Sequence, residues 1–442
     1  MIRSRLWRLL AITFAIALVA ASCGSDGTTD SADEADTSET TAPAEEESSD
    51  DGGDADADDD AMEEDADEGE AMDDESLDPV KIGLIAQDEE LFSAPEVRSA
   101  VQAYVDYANA ELDGVNGHPI ELDVCGAGDS PESHVACVQQ FANDDTISIV
   151  INGGLPGLGT ASTEALSNEG VPTIALGNDF PDYFWPGVAI NDPGLPGLAQ
   201  VFFVYASQNR GLTEMSLFIA DDPAFLPFIP VLEAIADANG IALSESIPLG
   251  FEPDLTGPVS AANVDSEGWL FVLADGAQCS AAAAAVETVG YEGQLFGNDL
   301  CLGEELVASG DIDGWAGPIV SAMPTTNGED AEEIARIVDT YGGDMQKAGL
   351  AGWAFGSADM ARDILAQAGA GDADRASVLG VMETYSSSDI LGMPPITCPG
   401  PGAWAGACNM SPLMATVENG TLTAPDGFVQ LDFTELDFLL EG

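Results

Sequence analysis

The sequence has very little positive charge. Of its 442 residues only 10 are Lys or Arg, whereas 80 are Asp or Glu, which gives a formal net charge of −70. Seven of the basic and 54 of the acidic residues lie from Lys81 onward, so this part alone carries −47. Nucleic acids and anionic lipid surfaces repel such a charge, which excludes them as partners. A protein this acidic also repels itself at low ionic strength, so we expect a halophilic protein.

Residues that carry catalytic or metal-binding chemistry are also scarce. The two histidines are His118 and His134, and no C-x-x-C pair is present, which argues against a zinc site. The sequence contains neither a G-x-S-x-G nucleophile motif nor a G-x-x-x-x-G-K phosphate loop. We therefore expect a binding protein and not an enzyme, with no cofactor and no bound metal.

No apolar run reaches the roughly 20 residues that span a bilayer. Three arginines precede a shorter apolar run over residues 9–21, and small residues follow, which predicts a cleaved export signal over 1–22. The run Ala20-Ala21-Ser22-Cys23 resembles a bacterial lipobox, with Ala20 in place of the usual leucine. The resemblance implies that Cys23 is lipidated and anchors the exported protein to the outer face of the cytoplasmic membrane. The alternative is ordinary signal cleavage, which leaves Cys23 unpaired.

Residues 23–78 have the composition of a disordered tether. They consist almost entirely of Asp, Glu, Ser, Thr, Ala and Gly, with 26 acidic residues between 24 and 80 and no Lys or Arg. Such a segment cannot bury enough apolar surface to fold. As a flexible coil it would span about 40 Å and would hold a folded domain away from the membrane. Binding of cations or of a basic partner is the alternative role.

The cysteines predict disulfide bonds. Six remain after Cys23, an even number in a protein with an export signal. They fall in local pairs, so among the 15 possible connectivities we favour three short loops. The predicted pairs are Cys125–Cys137, Cys279–Cys301 and Cys398–Cys408.

The stretch from Ile147 to Asp179 shows how the folded part is organised. It begins with an apolar, β-branched run typical of a buried strand, continues through a Gly-rich turn into a helical pattern, and ends in a second strand. Such a β-α-β unit makes the two strands parallel. Ligands bind at the loops that leave the carboxyl ends of parallel strands, here Gly153–Thr160 and Gly177–Asp179.

The same alternation of strands and helices occurs in two series, before and after residues 191–194. This predicts an α/β protein with two doubly wound, Rossmann-like lobes joined by three hinge crossings. Segments 191–194 and Gly317–Ala322 are predicted crossings. We assign residues 79–192 plus 323–390 to lobe I and residues 193–322 plus 391–442 to lobe II.

Several runs resemble the type I periplasmic-binding-protein family, specifically the branched-chain amino-acid-binding lipoproteins of ABC importers. They are VKIGLIA at the first strand, VQQFANDD before the third, NEGVPTIA at the fourth, and LADGAQC and GYEGQLFGNDLC in the second lobe. The resemblance covers residues 79–442. It implies a monomer that binds a small polar solute (an amino acid, amide or related amine) between its lobes and delivers it to ABC permease subunits. The alternative is a ligand-sensing ectodomain that reports to a signalling partner without transport.

The resemblance also implies ligand-binding positions. In the family, a hydroxyl residue in the first Gly-rich loop, with small and hydroxyl residues after the fourth strand, binds the ligand's carboxylate and ammonium. This chain has Pro156 and Gly157 at the first place, with Thr160 nearby, and Gly177-Asn178-Asp179 at the second. The alternative is that the glycines only permit a tight turn.

Two positions match the family more closely. Asp299 stands where the family has the acid that meets the ligand's ammonium, and Phe225 where it has an aromatic residue of the second lobe. A surface acid and a core aromatic are the respective alternatives. Acids also follow other predicted strands, which predicts a negative cleft for a cationic ligand. The predicted ligand-binding residues are Phe92, Gly157, Thr160, Gly177, Asp179, Phe225, Asp275 and Asp299.

Overall fold

The computed structural model describes residues 77–88, 93–323, 326, 328–347, 349–409 and 411–440. The predicted signal peptide, Cys23, the tether up to residue 76 and Phe92 lie outside these residues. Within the described part, no helix combines the length and the apolar character needed to cross a membrane.

A five-stranded parallel sheet forms the first half of the fold. Its strands are β1 (Val80–Gln87), β2 (Ile120–Ala127), β3 (Ile147–Gly153), β4 (Thr173–Ala175) and β5 (Val188–Ile190), in the order β2-β1-β3-β4-β5. The helices between them are α1 (Pro95–Glu111), α2 (Pro131–Asn143) and α3 (Leu158–Asn168). Strand β3 is buried along its whole length because Ile149 and Ile151 belong to one core and Ile147 and Val150 to another. Its continuous apolar run is the pattern of a central parallel strand.

A seven-stranded sheet forms the second half. Its strands are β6 (Glu214–Ala220), β7 (Ala242–Leu249), β8 (Gly268–Val272), β9 (Gln294–Gly297), β10 (Ala316–Ile319), β13 (Leu413–Glu418) and β14 (Thr421–Thr423), in the order β14-β13-β10-β9-β8-β6-β7. Strands β6 to β10 are parallel, whereas β13 and β14 are antiparallel. The intervening helices are α4 (Gly194–Val204), α5 (Ile229–Ala238), α6 (Thr256–Ser260), α7 (Gly276–Val289) and α8 (Glu304–Ser309).

The prediction of a crossing over Gly317–Ala322 is wrong for its first residues, which belong to β10. The sequence AGPI contains Gly and Pro, which are rare inside strands. Gly317 is nevertheless needed there, because a Cβ would lie 2.1 Å from the carbonyl oxygen of Gly297 on β9. The crossing itself begins after Ile319.

Three later helices return to the first sheet: α9 (Glu329–Tyr341), α10 (Ala351–Ala368) and α11 (Arg375–Met382). Arg375 holds this arrangement, since its guanidinium donates to the carbonyl oxygens of Ile147 at 3.0 Å and Asp144 at 2.8 Å. A short hairpin of β11 (Ser386–Ser387) and β12 (Ile396–Thr397) follows before the chain joins the second sheet.

Hydrogen bonds on Asn191 tie the crossings together. Its amide donates to Ser357 at 2.9 Å and accepts from the indole of Trp353 at 2.7 Å, both on α10. Its carbonyl oxygen accepts from Asn409 at 3.0 Å. The predicted fold class, two doubly wound α/β lobes connected by crossings, is confirmed, and the residue boundaries of the lobes stay a prediction.

The three predicted disulfides are confirmed. Cys125–Cys137 joins β2 to α2, and Cys279–Cys301 joins α7 to the 3₁₀ turn Asp299–Leu302. Cys398–Cys408 closes a loop in the last crossing. Each bond therefore fixes a local connection next to a strand end.

Candidate ligand-binding site

A cavity of about 360 Å³ lies where the carboxyl ends of the two sheets face each other. The first sheet contributes the loops after β1, β2, β3, β4 and β5, and the second contributes those after β6, β8, β9 and β10. Each of these strand ends contributes at least one lining residue; examples are Gln87, Asp129, Leu155, Gly177, Asp192, Asp222, Ala274, Asn298 and Val320. This is the position that parallel α/β sheets use for ligands, and the volume suits a small molecule.

Much of the wall is apolar. Helix α4 contributes Leu195, Leu198, Ala199 and Phe202, which recur at helical spacing and form one stripe along the cavity. Further apolar side chains come from both sheets and from the turn after β6, including Leu155, Leu158, Leu176, Phe225, Phe228, Leu270 and Val272. A ligand therefore meets a largely apolar surface.

Six acids also line the cavity: Glu96, Asp129, Asp192, Asp222, Asp275 and Asp299. None of the described lining residues is Lys, Arg or His. In the described part of the chain, no group of three or more His, Cys, Asp or Glu side chains is arranged to hold a metal ion. The polar character of the site is thus that of carboxyl groups with apolar neighbours.

Asp192 is the most deeply buried of these acids, with 2% of its surface exposed. Its carboxylate accepts the N–H of Gly177 at 3.1 Å and that of Gly194 at 2.8 Å. Burial raises the pKa of Asp192 to about 7, and the Asp182 and Asp299 carboxylates act in the same direction, while the two N–H donors oppose it. The first crossing therefore carries an acid that titrates near neutral pH.

Only glycine fits at both positions that donate to Asp192. A Cβ on Gly177 would lie 2.4 Å from the hydroxyl oxygen of Tyr183, and a Cβ on Gly194 would lie 1.7 Å from the same atom. Gly194 also has φ +55°, a conformation that side chains disfavour. The buried Tyr183 donates to the carbonyl oxygen of Pro193 at 3.2 Å. The backbone of the first crossing therefore packs directly against the Tyr183 side chain.

Asp299 is held by the loop after β9. The side-chain amide of Asn298 accepts the N–H of Leu273 at 3.2 Å and donates to the carbonyl oxygen of Leu273 at 2.9 Å. These two hydrogen bonds join the loop to the end of β8. The disulfide at Cys301 fixes the other side of the loop to α7. Burial raises the pKa of Asp299.

Glu96 is a second acid near Asp299. It lies in the first turn of α1, is 7% exposed, and accepts the N–H of Leu350 at 3.1 Å. Burial raises the pKa of Glu96, and the Asp299 carboxylate adds to the increase, as it does for Asp192. The Asp299 carboxylate thus lies close enough to Glu96 and to Asp192 to raise the pKa of each, and we call these three residues the inner acids.

Four of the predicted ligand-binding residues line the cavity: Gly177, Phe225, Asp275 and Asp299. Asp275 also caps α7 by accepting the N–H of Gln278 at 2.7 Å. Gly157, Thr160 and Asp179 are not among the lining residues.

The Thr160 hydroxyl is used inside lobe I. It lies 2.8 Å from a carboxylate oxygen of Asp179 and 3.2 Å from one of Asp182. Asp182 is fully buried, and burial raises its pKa to about 6. Gly157 immediately precedes α3, with φ +85° and open space around it, as a turn glycine does.

Sequence reasoning missed Glu96 and Asp192. Asp192 is the second residue after β5, so the strand-end rule that selected other acids applies to it as well. The run Asn191-Asp192-Pro193-Gly194 instead suggested only a crossing. Glu96 gave no such signal, because an acid in the first turn of a helix is an ordinary partner of the helix dipole.

The sequence model of the periplasmic binding proteins matches residues 79–404. This chain belongs to the periplasmic binding protein family. No curated protein sequence matches it. Periplasmic binding proteins are extracytoplasmic solute-binding proteins of ABC transporters that act with a permease and are not enzymes. The predicted family and the function of a solute-binding protein of an ABC transporter are therefore confirmed.

Solved structures share the fold of this periplasmic binding protein at low identity. The branched-chain amino acid transporter substrate-binding protein LivJ from Streptococcus pneumoniae, in complex with isoleucine, has 15% identity and a TM-score of 0.62 over 78% of this chain and 97% of its own. A fatty acid ABC transporter substrate-binding protein from Thermomonospora curvata has 14% identity and a TM-score of 0.66 over 81% of this chain and 94% of its own. A solute-binding protein from Rhodopseudomonas palustris in complex with 3,4-dihydroxybenzoic acid has 15% identity and a TM-score of 0.65 over 78% of this chain and 95% of its own.

Proposed function

We propose that this protein is the solute receptor of an ABC importer and binds a small solute that carries an amino group. The observation that supports this is the cavity between the two sheets, whose described wall holds the buried carboxyls of Glu96 and Asp192, the half-buried carboxyl of Asp299 and no basic residue. A desolvated carboxylate is stabilised most by an opposite charge at hydrogen-bond distance. Gly177, Phe225, Asp275 and Asp299 are the predicted residues that remain candidates for contact with the solute.

Ligand binding would close the two lobes. Strand ends of both sheets line the cavity, so a solute in it touches both lobes at once, and the crossings beside α10 are the natural hinge. Contacts made only in the closed state shift the population toward closure. We further propose that the protein acts as a monomer, anchored through a lipid on Cys23 and held off the membrane by residues 24–78.

A thermal-shift screen of the full-length protein against amino acids, amides, urea, amines and polyamines tests the proposal. At least one compound with an amino group should raise the melting temperature, and calorimetry should then give one site per chain. Small-angle scattering should show a smaller radius of gyration with that compound bound. A screen in which no compound changes the melting temperature would contradict the proposed function.

The anchor has a separate test. Mass spectrometry of the amino-terminal peptide from exported protein should find Cys23 as its first residue with a lipid attached. An unmodified Cys23 would leave ordinary signal cleavage as the explanation.

A further inference from the structure

The positions and bonding partners of the basic side chains bear on which solute the cavity binds. The part from Lys81 onward has seven, and all of them lie in the described residues. Four pair with acids on the surface: Lys81 with Glu121, Arg98 with Asp88, Arg336 with Glu111 and Glu333, and Lys347 with Asp339. Arg210 lies over the Tyr205 ring, and Arg362 and Arg375 donate to backbone carbonyl oxygens. None of the seven lines the cavity.

Several uncharged donors in the described cavity wall are also used within the protein. The amide of Asn178 donates to the carbonyl oxygen of Gly154 at 2.8 Å, and the amide of Asn298 is bonded to Leu273. The backbone N–H groups of Gly177 and Gly194, which point at the first crossing, donate to Asp192. A carboxylate entering the cavity would therefore exchange its water for a site that already holds six acids.

An ammonium group meets the opposite situation. Glu96, Asp192 and Asp299 form no ion pair with any described Lys or Arg, and burial disfavours their charged forms. The stripe of Leu195, Leu198 and Phe202 offers the rest of the molecule an apolar surface.

We infer that the cavity binds an amine with an apolar body and no carboxylate, such as an alkylamine or an arylalkylamine, in preference to an amino acid. The inner acids hold the ammonium, and the α4 stripe packs against the hydrocarbon. The inference rests on the proposed function and specifies its solute.

Titration calorimetry with matched sets of compounds tests the inference. One set is 3-methylbutylamine, leucine and 4-methylpentanoate, and the other is 2-phenylethylamine, phenylalanine and 3-phenylpropanoate. In at least one set the amine should bind at least about ten-fold more tightly than the amino acid, and the carboxylate should not bind.

Variants then locate the ammonium. Asp299→Asn and Glu96→Gln should each weaken amine binding about ten-fold or more and reduce the preference for the amine over the amino acid. Asp221→Asn is the matched control: it removes one charge from an exposed acid next to Asp222 but outside the lining, and it should leave both affinities unchanged.

The outcomes separate the two proposals. Equal or tighter binding of the amino acid, or a best ligand without an amino group, would overturn the inference while leaving a solute receptor. If both variants bind the amine like the unmodified protein, the inner acids do not hold it and the inference is wrong. Failure of every compound in the wider screen would count against the proposed function itself.

Discussion

The buried acid of the first crossing should impose a pH dependence on stability. Asp192 has an ordinary pKa of 3.8 in the unfolded chain and about 7 in the folded protein, so the folded state holds its proton more tightly. The stability that this proton provides is complete below pH 4 and is lost as the pH rises to about 7. We expect Asp192→Asn to remove this loss, because an amide stays neutral and its oxygen still accepts from Gly177 and Gly194.

The magnitude follows from the two pKa values. Each pH unit between 3.8 and about 7 corresponds to roughly 1.4 kcal/mol, so ionising Asp192 in place lowers the free energy of unfolding by about 4 kcal/mol. Asp182, Tyr183 and Asp299 face Asp192 and remain in both proteins. The difference in stability between the variant and the unmodified protein should therefore change by about 4 kcal/mol in favour of the variant between pH 4 and pH 8.

Urea unfolding from pH 4 to pH 8, followed by tryptophan fluorescence, measures this difference. Asp221→Asn serves as the control, since that acid is exposed and its curve should run parallel to that of the unmodified protein at every pH. Parallel curves for Asp192→Asn, within about 1 kcal/mol, would refute the reasoning. They would show that the crossing admits enough water to keep Asp192 ionised.

Three further predictions concern stability. The melting temperature should rise steeply from 0.01 M to 1 M sodium chloride, because the electrostatic screening length falls from about 30 Å to about 3 Å around residues that carry a net charge of −47. Deletion of residues 24–78 should preserve this rise. A melting temperature that does not change with salt would contradict the halophilic prediction. Replacing Cys125 and Cys137 together by serine should lower the free energy of unfolding by about 3 kcal/mol in urea titrations, because the disulfide restricts the unfolded chain. A loss below about 1 kcal/mol would contradict this chain-entropy argument for the short loop. Gly194→Ala should lower the free energy of unfolding by more than about 3 kcal/mol in the same assay, because the new Cβ would collide with Tyr183. The control Gly211→Ala has a similar φ of +71° and open space around it, and should lower the free energy of unfolding by about 1 kcal/mol. Equal losses would show that Tyr183 can move aside.

Fold class and disulfide pairing were predictable because they depend on local pattern. The run from Ile147 to Ile151 is apolar on both faces of the strand, which only a central parallel strand with helices on both sides can bury. The cysteine pairs are close in the chain and bracket strand ends, so the strands that bring them together were already predicted. Strand β10 was not, since its Gly317 serves a close contact with Gly297 that no local pattern reveals.

The strand-end rule selected Gly177 and Asp275, and the family resemblance selected Asp299 and Phe225; all four line the cavity. Contact of Thr160 and Asp179 with a ligand stays a prediction. Their side chains bond to each other and are not among the described lining residues, because side chains of neighbouring loops can bond to one another as readily as to a ligand. Leu195, Leu198 and Phe202 read as an ordinary core stripe, since periodicity cannot tell a stripe that faces a sheet from one that faces a cavity.

The sequence by itself determined two doubly wound lobes, three local disulfides and a large excess of acid, because each of these follows from residues close in the chain or from composition alone. Only the tertiary structure decided which acids share a cavity. Glu96, Asp192 and Asp299 come from a helix, a crossing and a strand end far apart in the chain, and the packing of two lobes brings them together. It also decided where the seven basic side chains go, which leaves the inner acids without a basic partner in the described cavity wall.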